Sequence, residues 1–199
     1  MPNPLASIKT EQIGADLSKV VDRVSKQYDR PDIAFQKEAT QNSWDVRNDR
    51  KAGKEWTLKI DEYKDSDKKI HVVVEDFGTK GMNQERWEAF SSLWRPKKDR
   101  DDAGGKGQGK FILMNASKEH ILLVESVSDD SGYICKFLQD GRKSSDDENL
   151  DISKYIPGVK PLNHNGSKIW VYDVREEFLK TLHSEEFLDS IIECWWQVL

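Results

Sequence analysis

The sequence predicts an α+β domain, and three observations carry that expectation. Short stretches of alternating apolar residues are interspersed with stretches of helical periodicity, without the regular alternation that builds a parallel sheet. The chain has 199 residues, enough to bury a core of ordinary size in one unit. Charged residues make up 34% and apolar residues 36%, which fits a heavily charged surface around a sufficient core and does not fit a disordered chain. Asp and Glu (36) outnumber Lys and Arg (31), and the net charge of −5 argues against a surface that coats nucleic acid generally. No apolar run approaches bilayer length and no basic-then-apolar leader opens the chain, so no membrane is expected. Two cysteines, Cys135 and Cys194, cannot build a disulfide framework, and a cytoplasmic location is expected. No internal repeat marks a solenoid or propeller.

The elements follow in order. Residues 1–14 are polar and Pro-containing and read as a loose lead-in. Between Asp16 and Tyr28, the residues Leu17, Val20, Val21 and Val24 recur at helical spacing. Pro31 opens a second helix, which runs to about Asn48, from the position where a missing N–H is tolerated. Glu55–Tyr63 alternates Trp56, Leu58 and Ile60 with polar residues, Ile70–Val74 is a short buried run, and the polar turn between them makes a hairpin. A helix is expected from Asn83 to about Trp94, followed by a solvated charged run from Lys97 to Asp102. Glycines from Gly104 to Gly109 then open a helix over Lys110–Ala116. Glu119–Ser126 and Tyr133–Gln139 read as another antiparallel pair, and Gly141–Ser153 as an acidic surface loop. Lys168–Asp173 is the last strand, and Arg175–Leu199 forms one or two helices. His71, His120, His164 and His183 show no metal-ligand spacing and are structural or surface residues. Trp56 and Trp170 fall in strand patterns and read as core, while Trp87 and Trp94 fall in the helix that begins at Asn83.

Four segments carry chemistry. In Glu38-Ala-Thr-Gln-Asn42-Ser-Trp-Asp45, helical spacing puts Glu38 and Asn42 on one face, with Asp45 joining them at i+7. A carboxylate there can take a proton from water while the carboxamide oxygen ligates a hard cation; taken alone, the segment is a polar helix face. In Glu75-Asp76-Phe77-Gly78-Thr79-Lys80-Gly81-Met82, a buried strand ends in an acid and enters a loop whose glycines let a flat ligand approach. In Gly104-Gly-Lys-Gly107-Gln-Gly109-Lys110, bare backbone N–H groups and a helix start together make a phosphate cradle. That segment matches a P-loop up to its last position, where Phe111 replaces the required Ser or Thr, and a buried strand does not precede it. Gly166-Ser167-Lys168-Ile169-Trp170-Val171 places a small hydroxyl residue at the mouth of a core strand.

In order and spacing these segments resemble the GHKL ATPases: the gyrase B subunits, the ninety-kilodalton heat-shock chaperone, histidine kinases, MutL and the MORC proteins. Glu38-x-x-x-Asn42-Ser43-x-Asp45 is similar to their N box, and Asp76-x-Gly78 with Gly81-Met82 to their Asp-x-Gly-x-Gly-Met box. Gly104 to Gly109 is similar to their second glycine box, and Gly166-Ser167-x-Ile169-x-Val171 to their late Gly-Thr-x-Ile-x-Val strand. Gly81-Met82 comes one residue late against the family pattern, so the base-side loop must bulge.

The resemblance implies the Bergerat fold, a two-layer sandwich with a mostly antiparallel mixed sheet and helices on one face. It implies an ATP-binding domain over residues 15–175 with a nucleotide lid at about 83–103. ATP and Mg²⁺ are the implied ligands. Asp76 would take the adenine amino proton, with Gly78, Gly81 and Met82 around the base. Asn42 would ligate Mg²⁺, Asp45 would complete that face, and Glu38 would polarise the attacking water. Gly105, Lys106, Gly107, Gln108, Gly109 and Lys110 would hold the phosphates, and Ser167 would support Asp76. Glu38 favours hydrolysis over a kinase reaction, since histidine kinases lack that acid. The implied function is slow ATP hydrolysis coupled to lid closure and homodimerisation; a nucleotide-gated interaction module without turnover is the alternative. Residues 176–199 end on apolar side chains and read as leading to a downstream domain or partner protein, through which nucleic acid would be reached. A phosphate-sensing Lys of the kind that some family members bring from a following domain is not found in the sequence.

Overall fold

The computed structural model describes residues 4–12, 18–47, 56–92, 109–145 and 147–195. The alternating pattern near residue 60 yields a hairpin, in which β2 (Thr57–Lys64) pairs antiparallel with β3 (Ile70–Phe77) from Thr57 opposite Phe77 to Lys64 opposite Ile70. Asp65 builds the turn. Its Oδ1 accepts the N–H groups of Asp67 and Lys69, both at 2.9 Å, and its Oδ2 meets Nε2 of the buried His71 at 3.0 Å. A second hairpin joins β4 (Leu122–Ser128) to β5 (Gly132–Gln139). With β1 (Thr10–Gln12), β6 (Arg142–Ser144) and β7 (Gly166–Val171), these strands form a 7-stranded sheet in the order β1-β6-β5-β4-β7-β3-β2. Every pairing among the described strands is antiparallel, where a mixed sheet was expected.

The helices are α1 (Ser18–Ser25), α2 (Pro31–Asp45), α3 (Gln84–Ser91), α4 (Gly109–Ala116), α5 (Glu176–Leu182) and α6 (Glu185–Trp195). Period-two alternation divides the strand side chains between two cores. Val72, Val74, Leu122, Val124, Ile169 and Val171 face the helices and pack with Val21, Phe35, Ala39, Phe111, Ile112 and Phe178. The chain is thus an α+β structure compatible with a two-layer sandwich.

The other face is not bare. Val73, Leu123, Phe137 and Trp170 pack there against Leu5, Ile8, Leu150, Ile152, Tyr155 and Ile156. This corrects two expectations. In the lead-in, a 3-10 turn at Pro4–Ser7 buries Leu5, and β1 pairs with β6 along the sheet edge. The supposed acidic loop supplies β6, the buried Leu150 and the start of a second 3-10 turn at Ile152–Lys154, whose Ile152 packs on the sheet. Trp87 is wholly buried in the helix-face core, so α3 is a packed helix over its described length. Trp94 lies outside the described residues, as does most of the expected lid. On α6, Phe187 is buried while Leu188 and Ile192 are exposed. Among the described residues, no helix is long and apolar enough to cross a membrane.

One buried carboxylate fastens the second face. Glu125 on β4 has no solvent exposure; its Oε1 accepts from Tyr133 Oη (3.1 Å) and the Leu162 N–H (2.9 Å), and its Oε2 from Trp170 Nε1 (2.6 Å). Glu125→Ala leaves these donors without their acceptor and is expected to destabilise the fold by about 3 kcal/mol or more. Urea unfolding checks this, and an unchanged midpoint would remove the fastening role.

Candidate functional site

Asp76 occupies the end of β3 on the helix-facing side of the sheet, where the strand is covered and water is scarce. Its Oδ1 accepts the Thr79 hydroxyl at 2.5 Å and the Ser167 N–H at 2.8 Å. Among the described residues, Oδ2 has no hydrogen-bond partner. Burial pushes the Asp76 carboxyl up to about 6, opposed by the bonds from Thr79 and Ser167, which stabilise its charged form.

The loop after Asp76 is shaped by its glycines. Gly78 and Gly81 have φ of +69° and +65°, and a Cβ on Gly81 would fall 2.1 Å from the Val127 carbonyl oxygen. At the start of β7, Gly166 has φ +148°, and a Cβ there would lie 2.4 Å from the Asp76 carbonyl oxygen. Ser126, in the middle of the sheet, joins the pieces: its Oγ accepts the Met82 N–H (2.5 Å), donates to the Gly166 carbonyl (2.7 Å) and lies 3.1 Å from Ser167 Oγ. Beyond Met82, Asn83 caps α3 by accepting the Arg86 N–H at 3.0 Å, and Arg86 reaches back to the Gly81 carbonyl at 2.8 Å.

Helix α2 carries the other half of the site. Its C-terminal end is tied to the Asp76 loop, because Arg47 bridges to Thr79 and the Lys80 N–H donates to the Val46 carbonyl at 3.1 Å. The Arg47 guanidinium lies 3.6 Å from the Trp44 ring centroid, and Trp56 Nε1 donates to Ser43 Oγ at 2.7 Å. Asp45 is buried at the last turn. Asn42 is half-buried and makes no hydrogen bond to a described residue.

Glu38, one turn before Asn42, accepts the Tyr28 hydroxyl at Oε1 (3.1 Å). Its Oε2 lies against Gly109, the first residue of α4, so that a Cβ built on Gly109 would fall 2.1 Å from it. The positive end of that helix faces the carboxylate. Lys110 behaves differently from the phosphate partner that the sequence suggested. Its Nζ is turned to the end of α3, where it donates to the Ser92 carbonyl at 2.5 Å, and burial pulls its ammonium down to about 8. Gly105, Lys106, Gly107 and Gln108 lie outside the described residues.

The structure therefore gathers Asp76, Gly78, Gly81, Met82 and Ser167 at one place and Glu38 with Gly109 at another, joined by α2. Thr79, Ser126 and Gly166 belong to the first group. Gly166 heads the fourth segment and Thr79 stands inside the glycine segment, though neither carries a role in the sequence reading; Ser126 in mid-strand gives no local signal. Neither protein-family models nor curated proteins give a match to this chain.

The raised Asp76 carboxyl has a consequence for stability. The folded chain binds this proton more tightly than the unfolded chain, so the wild type loses stability as pH rises from about 4 to about 6. An Asn at this position keeps an oxygen for Thr79 and Ser167 and carries no charge. Asp76→Asn is expected to be more stable than wild type above pH 6, by up to about 3 kcal/mol, with the difference vanishing below about pH 4. Urea titrations at several pH values measure it, and a variant less stable than wild type at pH 7.5 would contradict the account.

Proposed function

We propose that this chain is an ATP-Mg²⁺-binding domain of the GHKL type, with the Bergerat arrangement of sheet and helices, that hydrolyses ATP slowly. One observation carries the reading. Two carboxylates are set along α2: Glu38, midway along the helix, against the first residue of α4, and Asp76, tied through Thr79 to the segment that follows the helix. At 1.5 Å per residue, the stretch from Glu38 to Asp45 measures about 10 Å, a span suited to a nucleotide with its base at one end and its phosphates at the other.

At the base end, Oδ2 of Asp76 accepts the exocyclic amino group of adenine while Oδ1 keeps Thr79 and Ser167. Guanine presents a carbonyl there, and two acceptors would meet, so ATP is selected over GTP. The turns at Gly78 and Gly81, with Met82, carry the chain past Asp76 on the side assigned to the base. At the phosphate end, the first turn of α4 supplies backbone donors and a positive dipole end, extended by assignment to Gly105, Lys106, Gly107 and Gln108. Asn42 fits a Mg²⁺ ligand because its carboxamide has no described partner and faces the same side of α2 as Glu38. When bound, the ion neutralises phosphate charge and orients the terminal phosphoryl group. Glu38 holds a water and takes its proton. The family resemblance supports lid closure and homodimerisation as the output, delivered to a downstream domain or partner.

Glu38→Gln is expected to keep ATP-Mg²⁺ affinity and to lose turnover by about 100-fold or more, because the group acts on water. Asn42→Ala should lose the Mg²⁺-dependent part of binding, and GTP should not compete. Calorimetry and phosphate release measure these. A Glu38→Gln protein that turns over at the wild-type rate would overturn the assignment, and wild-type binding without turnover would favour the nucleotide-gated module.

Gly109→Ala separates activity from stability. The new methyl group must displace the Glu38 carboxylate, whose flexible end can yield, while a helix start tolerates Ala. Stability is expected to stay level or rise by about 0.5 kcal/mol, and turnover to fall about tenfold. Thermal unfolding beside phosphate release tests both halves, and unchanged turnover would detach Gly109 from the site.

A further inference from the structure

We propose that Tyr28 is a positioning residue for Glu38, fixing one carboxylate oxygen so that the other is presented to the water that attacks ATP. This rests on the ATPase reading above. Tyr28 lies in the connection between α1 and α2, ten residues before Glu38 in sequence, and its hydroxyl donates to Glu38 Oε1 at 3.1 Å. The opposite oxygen, Oε2, lies against Gly109 at the start of α4. The carboxylate is thus located from both sides, and only Oε2 is directed to the end of the site assigned to phosphate.

The connection that carries Tyr28 is itself well held. The Gln27 and Tyr28 N–H groups donate to Val24 and Ser25 at 3.0 and 3.1 Å, closing the last turn of α1. At the start of α2, Arg30 forks onto Asp32 (3.0 and 2.8 Å) and onto Glu186 of α6 (2.6 and 3.1 Å). Asp32 also accepts the Thr181 hydroxyl at 2.6 Å. The Tyr28 ring packs against the helix-face core, so its hydroxyl is delivered from a fixed frame. Burial, then the Glu38 charge, pushes the phenol up to about 12, so it remains a donor through the neutral range.

A glutamate has three side-chain torsions, and in the absence of a second holder its carboxylate samples several rotamers. A hydrogen bond from a neutral hydroxyl to a carboxylate is strong enough to select one of them. The benefit belongs to kcat, since the water position matters only in the reacting complex.

The test is Tyr28→Phe, which keeps the ring and removes only the oxygen, assayed in the full 199-residue chain with ATP-Mg²⁺. The expected result is a kcat about tenfold lower with KM, ATP affinity and thermal midpoint unchanged. The second arm is a double-mutant cycle with Glu38→Gln, in which Tyr28→Phe is expected to have no further effect on the residual rate. Wild-type kcat in Tyr28→Phe, beside lost turnover in Glu38→Gln, overturns the positioning role and leaves the ATPase reading standing. An equal loss in both backgrounds, or weakened ATP binding, assigns Tyr28 a merely structural role. Wild-type turnover in Glu38→Gln, or none in the wild type, overturns both the reading and the proposal.

Discussion

Strand β7 is the last strand in the chain and lies inside the sheet, bonded to β3 on one side and β4 on the other. Before it inserts, the β2–β3 and β4–β5 hairpins are separate ribbons with open edges. Its insertion sets Ile169 and Val171 into the helix-face core and, in the same register, brings Ser167 to Asp76 across 91 residues of sequence. The closing of the core and the building of the candidate base pocket are therefore one event. Gly166 makes it possible, since any side chain at that point would collide with the Asp76 backbone. Such distant pairings carry a loop-closure cost that the two local hairpins do not.

Two buried carboxylates show how the sheet separates stability from function. Glu125 receives three donors distributed over both oxygens, and it joins β4, β5, β7 and the covering segment at Leu162. Among the described residues, Asp76 receives two donors, both on one oxygen. Burial raises the proton affinity of the Asp76 carboxylate, and its bonds from Thr79 and Ser167 oppose that rise. The two lie on opposite faces of the same sheet. One is bonded through both oxygens, and the other, among the described residues, through one.

Much of this was legible in the sequence because it rests on local periodicity. The alternation of Trp56, Leu58 and Ile60, the run at Ile70–Val74 and the apolar helix after Gly109 each named their element within a few residues. The i, i+4 spacing of Glu38 and Asn42 was equally local. The second apolar face was not legible, because Leu150, Ile152, Tyr155 and Ile156 are scattered through a polar segment with no period. Ser126 and Tyr28 escaped for a related reason. A serine in mid-strand or a tyrosine in a helix connection has no local signature, and its role comes from a partner supplied by tertiary packing. The lysine beside the glycine box misled, since adjacency in sequence says nothing about which way a side chain turns.

That turn has an electrostatic cause. A helix start carries partial positive charge and a helix end partial negative charge, so a lysine at the first turn of α4 is repelled by its own helix and attracted to the end of another. Lys110 accordingly reaches the Ser92 carbonyl at the close of α3, while the carboxylate of Glu38 settles against Gly109 at the opening of α4. Cation and anion are each matched to the helix end of opposite sign, and the lysine alone leaves the place that a reading by motif would give it. The two contacts also draw together the chain on either side of residues 93–108, with α3 ending and α4 beginning at one junction. At that junction the opening of α4 presents its backbone dipole to the Glu38 carboxylate, while the close of α3 receives the lysine.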